Sequence, residues 1–273
     1  MNRIQQLREL RRHYVIKYGK STLRALDRFI GRQSLIGDSP VFDAALFPWV
    51  ANLEANWQSI LAELQEILKA REHVPSFHEI SPDQKRISKG DNWKTFVLYG
   101  FGQQAKRNCR RCPATVQVLE TIPGLQNAWF SILAPGYHIP PHHGVTKGVI
   151  RCHLALIVPE QRERCVIRIA DQLCQWEEGK CLLFDDTYEH EVWNNTNQER
   201  VVLFLDINRP LRLPGRILSR LLIQGIQLTA YVKDARRNLV TWEDRFEKAA
   251  LQAENFHYTE DDKKPLAKDT TAV

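Results

Sequence analysis

The chain lacks an apolar run long enough to cross a membrane. None of its hydrophobic stretches reaches the ~18 residues that a spanning helix needs, and the first six residues lack the apolar core of a secretory signal. We therefore expect a cytoplasmic protein, at most peripheral on the membrane. The 273 residues are 43% hydrophobic and 26% charged, which is enough to bury one sizeable core.

The chain also lacks the second cysteine pair that a structural zinc site would need. Cys109 and Cys112 have the C-x-x-C spacing of a zinc or redox motif, but the other four cysteines form no second pair of that kind. Without a secretory signal, the six cysteines have no need of disulfides. We expect free thiols that pack as small hydrophobes, and a functional use of the C-x-x-C pair is the alternative.

Acidic residues are scarce at the two ends of the predicted domain, where the net charge of +6 is concentrated. Residues 1–32 contain nine Lys and Arg against two acidic residues, and residues 208–240 contain seven against one. Such basic flanks fit nucleic acid or an anionic membrane surface. Because the chain has no zinc finger, RNP-like aromatic motif or other recognisable nucleic-acid module, the membrane is the favoured partner of the two.

The hydrophobic pattern predicts a helix followed by many short strands. Apolar residues at helical spacing indicate an amphipathic helix over 48–70 that buttresses a sheet. β-rich runs separated by turns predict strands over 93–99, 128–133, 149–158, 165–170, 180–184, 189–193 and 200–207. Strands of this number and length predict a mainly β fold with flanking helices, a double-stranded β-helix of the jelly-roll or cupin-like kind.

Two histidines and an arginine follow one another in an order that suits iron and an oxo-acid. His142 lies in the run PPHHG, His190 lies in FDDTYEHEVW, and Arg200 follows ten residues later. A non-haem Fe(II) that activates O2 needs neutral imidazole ligands and open positions for a co-substrate and the gas. The usual carboxylate ligand would lie two residues after His142, where this chain has Gly144, so the protein would supply only two ligands.

These residues fall within five blocks that resemble the aspartyl/asparaginyl β-hydroxylase family, including its bacterial lipid A hydroxylase branch, over roughly 42–210. The blocks are FPW at 47–49, NWKTF at 92–96, FSILAPG at 130–136, RCHL at 151–154, and FDDTYEHEVW at 184–193 followed by Arg200. Family members are 2-oxoglutarate dioxygenases whose iron is held by two histidines without a carboxylate. The resemblance implies Fe(II), 2-oxoglutarate and O2 as cofactors, with ascorbate as the reductant in vitro.

The resemblance implies that His142 and His190 bind the metal. Asp186 lies four residues before His190, as in the family motif, and is expected to contact and orient the histidine ligands. The run Asp185-Asp186-Thr187 is equally typical of a turn. His138 and His143 flank the motif, but neighbours in a strand point apart. We place His143 at the rim of the pocket.

Arg200 is suited to the distal carboxylate of 2-oxoglutarate, because a guanidinium forms a two-pronged pair with a carboxylate, and Ser131 can add a hydroxyl donor. Arg151 and His153 share one face of a predicted strand. By resemblance, they contact the carboxylate nearer the iron, and Trp93 lines the same pocket. Trp176 is interpreted as the end of a strand, without a chemical role.

The sequence therefore predicts an enzyme that hydroxylates an unactivated C–H bond, in a lipid acyl chain, a small molecule or an Asp or Asn side chain. Animal family members hold their substrate carboxylate with an arginine just before the equivalent of Arg151, but the same-face neighbour here is Val149. This favours a lipid or a small molecule. The alternative is a non-catalytic cupin-like protein that binds a metal or an oxo-acid, with basic flanks on nucleic acid.

Four segments are predicted along the chain. They are a basic N-terminal arm at 1–35, the dioxygenase domain at 36–210, a helical extension at 211–250 and a polar, disordered tail at 251–273. Within the extension, 216–232 forms a helix with a broad apolar side and an arginine side. That helix either packs on the barrel or lies on an anionic membrane.

Overall fold

Two antiparallel β-sheets form the centre of the computed structural model, which describes residues 24–261. Their strands are β1 (Val41–Phe42), β2 (Trp93–Gly100), β3 (Gln103–Gln104), β4 (Leu125–Leu133), β5 (His138–His142), β6 (Val149–Ile157), β7 (Cys165–Ile169), β8 (Gln172–Gln175), β9 (Cys181–Phe184), β10 (His190–Asn194) and β11 (Arg200–Asn208). The larger sheet has the order β1-β9-β6-β11-β4-β2-β3, and the smaller has the order β5-β10-β7-β8. This arrangement confirms the predicted jelly roll.

Helices precede, interrupt and follow the sheets. They are α1 (24–32), α2 (Val50–Ala55), α3 (Trp57–Leu68), α4 (Phe77–Ile80), α5 (Lys106–Arg111), α6 (Pro113–Leu119), α7 (Leu213–Gln227) and α8 (Ala230–Asp261). The helix predicted over 48–70 is present but breaks at Asn56, whose φ of −101° and ψ of 9° are not helical. None of the described helices has the length and apolar content that a membrane span requires.

Alternation along the strands gives the larger sheet two apolar faces. Phe130, Leu154 and Leu203 lie on its outer face, in one cluster with Ile60 and Leu64 of α3. The next residues along those strands point inward, where a second cluster fills the space between the sheets and includes Leu133, Ala155, Ile167, Val202 and Phe204. A large aliphatic or aromatic side chain buried in this way contributes about 1.5–3 kcal/mol, so both faces stabilise the sheet that carries the site.

The seven predicted strands are all present, but β1, β3, β5 and β8 were not predicted. β5 has the sequence HIPPH, in which two prolines cannot donate to a strand partner. It forms an edge of the smaller sheet, a position where proline is tolerated. The pattern of residues 138–142 therefore concealed a strand that proved to contain His142.

The C-terminal boundary also differs from the prediction. α7 ends at Gln227, and α8 continues to Asp261, where the sequence predicted a polar tail from residue 251. Residues 251–261 contain neither Gly nor Pro, the two residues that most strongly oppose a helix. Most of the basic arm and the last residues of the tail, 1–23 and 262–273, lie outside the described residues.

All six cysteines are free thiols, as expected. Cys109 and Cys112 are buried, and Cys109 Sγ donates to Leu98 O at 3.2 Å. Burial raises the pKa of Cys109 to about 11 and raises the pKa of Cys112 further. Both thiols therefore stay protonated near pH 7 and pack as small apolar groups.

Candidate active site

His142 and His190 face one another across two strands of the smaller sheet. His142 ends β5 and His190 begins β10, where the two residues are direct register partners. Opposed residues of an antiparallel pair have Cβ atoms about 4.5–5.5 Å apart. The two imidazole centroids lie 4.0 Å apart, a separation that suits two ligands of one metal ion.

Both rings are fixed through their Nδ1 atoms. His142 Nδ1 lies 2.9 Å from Pro140 O, and His190 Nδ1 lies 2.9 Å from Tyr188 O. Because a carbonyl only accepts, each Nδ1 carries the proton and each Nε2 keeps a free lone pair. Burial lowers the pKa of His142 to about 4 and the pKa of His190 to about 2, and the charge of Arg151 adds to both effects. The pair is neutral near pH 7, as metal ligation requires.

Gly144 leaves room for a carboxylate that comes from another part of the chain. A Cβ at Gly144 would overlap the side chain of Asp186, and Gly144 N donates to Asp186 O at 2.6 Å. Asp186 is buried, its Oδ1 has no hydrogen-bond partner, and burial raises its pKa to about 6. The Asp186 carboxylate thus occupies the space that a side chain at position 144 would need.

Arg151 lies between two carboxylates. Its Nη2 is 2.8 Å from Asp186 Oδ2, its Nε is 3.0 Å from Asp206 Oδ1, and its guanidinium lies 4.2 Å from the centroid of the Phe204 ring. Arg151 and Asp206 are register partners on β6 and β11. These contacts hold the guanidinium in the pocket that His142 also lines, and its contact with a co-substrate stays a prediction.

Arg200 is a buried cation that pairs with no carboxylate among the described side chains of residues 24–251. It is 2% exposed, its Nη1 donates to Ser131 O at 3.5 Å, and its Nε has no partner. Its guanidinium lies 4.7 Å from the centroid of the Trp176 ring. Burial lowers its pKa to about 10, so the charge persists near pH 7. Because an uncompensated buried charge is costly, this site is suited to receive an anion.

Two buried N–H donors without acceptors define what we term the donor pocket: Arg200 Nε and His153 Nε2, which both lie against Trp176. Trp176 Nε1 donates to His153 Nδ1 at 3.4 Å, so the neutral ring carries its proton on Nε2. Burial holds the pKa of His153 well below its usual value. The Phe184 ring lies 5.0 Å from His153 and 5.7 Å from His190, so the donor pocket adjoins the histidine pair. Donors without acceptors fit a carboxylate.

The co-substrate residues predicted from the sequence come together on the inner face of four adjacent strands. His153 and Arg151 lie on β6, Arg200 on β11, Ser131 on β4 and Trp93 on β2, in that order across the sheet. Trp93 Nε1 donates to Ser131 Oγ at 3.0 Å. Their proximity follows from the strand order, whereas their roles toward 2-oxoglutarate stay predictions.

The neighbouring aspartates Asp185 and Asp186 have different surroundings. Asp185 pairs with Arg209 and, at 2.9 Å, with Lys147, and it accepts from Thr187 Oγ1 at 2.6 Å. It therefore anchors the turn before β10, while Asp186 borders the pocket. Asp185 is thus a turn former, whereas the predicted role of Asp186 in supporting the histidine ligands stays a prediction.

The other two histidines of the motif lie outside the pair. The His138 ring stacks on Trp193 with centroids 5.2 Å apart, and its Nε2 lies 3.0 Å from Glu191. His143 is exposed, and its Nδ1 lies 3.1 Å from Thr187 O. It lines the mouth of the pocket, where the sequence placed it.

An apolar groove of about 230 Å³ adjoins His142. The inner face of the larger sheet, α4 and the two C-terminal helices form its walls, whose apolar members include Phe77, Val97, Trp129, Phe204, Ile223 and Leu239. The polar residues of its lining include Arg151 and Asp186. A groove lined mainly by carbon fits an elongated apolar group.

Among the side chains that the structure describes, none joins the histidine pair as a third ligand in a metal-binding cluster. Within residues 24–261, no group of three or more His, Cys, Asp or Glu side chains is arranged to hold a metal ion. An ion held by His142 and His190 would therefore take its remaining ligands from small molecules.

Trp129, Trp176 and Asp206 belong to the site but were not predicted as site residues. Trp129 lies two residues before Ser131, so strand alternation placed it on the same face. Asp206 lies six residues after Arg200 on a predicted strand, so alternation placed it on that face as well. Trp176 had no such signal, because its contact with Arg200 joins distant parts of the chain.

Comparison with known proteins identifies relatives. Residues 54–210 match the family model described as Aspartyl/Asparaginyl beta-hydroxylase. The chain is 45% identical over 211 residues to an ornithine lipid ester-linked acyl 2-hydroxylase of Rhizobium tropici. The match covers 77% of this chain and 75% of that protein. It is 33% identical over 170 residues to the aspartyl/asparaginyl beta-hydroxylase of Homo sapiens, covering 60% of this chain and 22% of the human protein. A solved prolyl-4-hydroxylase of Pseudomonas putida has a TM-score of 0.37 and 17% identity, covering 59% of this chain and 98% of that one.

Proposed function

Because this chain belongs to the aspartyl/asparaginyl β-hydroxylase family, we propose that it is an Fe(II)- and 2-oxoglutarate-dependent dioxygenase that hydroxylates an unactivated C–H bond in a lipid acyl chain. The observation that carries the proposal is that the histidine pair adjoins both the donor pocket and the apolar groove. The donor pocket fits an anionic co-substrate, and the groove fits a chain of CH2 groups.

The Nε2 atoms of His142 and His190 would hold the iron, because their Nδ1 atoms donate to carbonyl oxygens. Iron, 2-oxoglutarate and O2 together would supply the oxidation, in which one oxygen atom becomes the new hydroxyl and the other enters succinate as CO2 is released. The protein's part is to hold the C–H bond at a fixed place and to exclude water.

Arg200 would bind the distal carboxylate of 2-oxoglutarate. Its guanidinium is already oriented by Ser131 O and the Trp176 ring, so little side-chain freedom remains to be lost on binding. A charge-assisted hydrogen bond contributes about 1.5–3 kcal/mol. Loss of this cation should weaken co-substrate binding by at least about tenfold.

Three observations support an acyl chain over an aspartate side chain as the substrate. The groove wall is mainly apolar. Val149, two residues before Arg151, lines the groove and cannot supply a cation for a substrate carboxylate. The relative with 45% identity is named as an acyl 2-hydroxylase of ornithine lipid.

Succinate release tests the reaction. The full chain, mixed with Fe(II), ascorbate, 2-oxoglutarate and O2, should form succinate slowly even without substrate. His142→Ala and His190→Ala should reduce this release to background, while His138→Ala, altered at the ring stacked on Trp193, should retain it. Arg200→Met should raise the half-saturating 2-oxoglutarate concentration at least about tenfold. Turnover retained in either ligand variant would remove that residue from the metal site, and no succinate from the wild type would favour a binding protein.

Lipid mass spectrometry tests the substrate class. Cells with and without the protein should differ by one oxygen atom on a lipid, and fragmentation should locate that atom on an acyl chain. An oxygen on a head group, a free metabolite or a peptide would reject the acyl substrate while leaving the dioxygenase chemistry in place.

A further inference from the structure

Helix α7 has an exposed apolar row on the side that faces away from the sheets. The row consists of Leu213, Ile217 and Leu221, continued by Leu228 just after the helix, and these side chains are between 52% and 74% exposed. The buried residues of α7 are Gly215 and Ser219. Two small residues therefore make the fully buried contacts of the helix, and the apolar row lies on its opposite, exposed side.

An arginine row follows the apolar row along the same helix. Arg212, Arg216 and Arg220 each precede a member of the apolar row by one position, which sets them about 100° around the helix axis. All three are exposed, and none forms an ion pair with the described side chains of residues 24–251. Uncompensated cations beside exposed apolar side chains are complementary to anionic lipid, in which phosphate groups lie above acyl chains.

The exposed apolar surface continues from α7 to the mouth of the groove. Ser219 packs so closely on the loop after His142 that a Cβ at Gly148 would overlap its hydroxyl. Val145, in the same loop, lines the groove and is 65% exposed. Ile223, on the next turns of α7, also lines the groove. One helix thus borders solvent with its apolar row and the groove with its inner side.

We propose that α7 lies on an anionic lipid bilayer, with the apolar row inserted among the acyl chains and the arginine row at the level of the phosphates. The groove then opens beside the bilayer, so an acyl chain can enter it without crossing water. This last step rests on the proposed function, whereas the docking itself does not.

Sedimentation with vesicles tests the docking directly. The full chain should sediment with phosphatidylglycerol-containing vesicles but not with pure phosphatidylcholine, and added salt should weaken binding. Arg216→Glu with Arg220→Glu should weaken binding to the anionic vesicles by about thirtyfold or more. Ile217→Ser with Leu221→Ser should also weaken it, with the residual binding more sensitive to salt.

Two matched controls separate α7 from general surface effects. Lys106→Glu with Arg110→Glu makes the same charge change at the same spacing on α5, and Leu173→Ser removes a side chain with 65% exposure on β8. Both should bind vesicles as the wild type does. The docking proposal would be overturned if the wild type did not bind anionic vesicles at low salt. It would also be overturned if the α7 variants bound as tightly as the wild type.

Succinate release, measured on every variant without vesicles, separates this proposal from the proposed function. None of the four altered α7 residues lines the groove, so release should be unchanged. Vesicle binding lost with succinate release retained supports the docking. Vesicle binding by a protein that hydroxylates no acyl chain would also support the docking and would reject only the acyl substrate.

Discussion

Gly144 and Asp186 fit one another as a pair. The glycine has no side chain, and the aspartate carboxylate fills the space that one would occupy. The same carboxylate pairs with Arg151 at 2.8 Å, so its position also sets the position of the guanidinium beside His142. The absence of a carboxylate at position 144 is thus a steric requirement of this pocket.

Gly144→Ala should displace the Asp186 carboxylate and disturb its pair with Arg151. A shift of about 1 Å near reacting groups can reduce a rate about a hundredfold, so we expect succinate release to fall at least about tenfold in a folded protein. Gly225→Ala is the control, because a Cβ there meets nothing within 4 Å. Wild-type turnover in Gly144→Ala would show that the position of Asp186 is unimportant for the reaction.

At the scale of elements, the sequence pattern predicted the regular strands but not the edge strand β5. Alternation between two buried faces identified β6 and β11, whose inward side chains include Arg151, His153 and Arg200. β5 was not predicted because its two prolines oppose strand propensity, although they are tolerated at the edge of a sheet. The different surroundings of Asp185 and Asp186 also could not be predicted, because Arg209 and Lys147, which pair with Asp185, come from distant parts of the chain.

The end of β2 sets one limit of the groove. Gly100 lines it, and a Cβ there would lie 3.8 Å from Leu239 and meet nothing closer. Gly100→Leu should therefore fill groove volume without a backbone clash and shift the hydroxylated lipids toward shorter acyl chains. Mass spectrometry of the products measures the shift, with Gly225→Leu as the control that adds the same side chain on α7. An unchanged chain-length distribution would show that the acyl chain does not reach Gly100.

At the scale of the whole molecule, buried neutral imidazoles make stability depend on pH. The folded-state pKa of His153 lies well below the ordinary value of about 6.5. Below that pH, the unfolded chain binds a proton that the folded chain excludes, so the free energy of unfolding falls as pH falls. Above it, both states are neutral and the effect vanishes.

His153→Gln should make this pH dependence shallower in metal-free protein. Glutamine can still accept a hydrogen bond from Trp176. Because the substitution removes one titrating ring, the dependence of the free energy of unfolding on pH should fall by up to about 1.4 kcal/mol per pH unit below about pH 6.5. Urea unfolding at several pH values with a chelator present measures the slopes, and His142 and His190 contribute equally to both proteins. Identical slopes would mean that His153 takes up a proton in the folded state.

The interlock of Gly144 with Asp186 also bears on how such a site can change in evolution. A mutation that introduces a carboxylate at position 144 meets a space already occupied, and a mutation that removes Asp186 leaves Arg151 with one fewer counter-ion in a buried pocket. In the proposed iron site, each single substitution toward a third protein ligand is therefore expected to be harmful by itself. Under the proposed function, a lineage with this pair would need two substitutions at once to gain a third protein ligand.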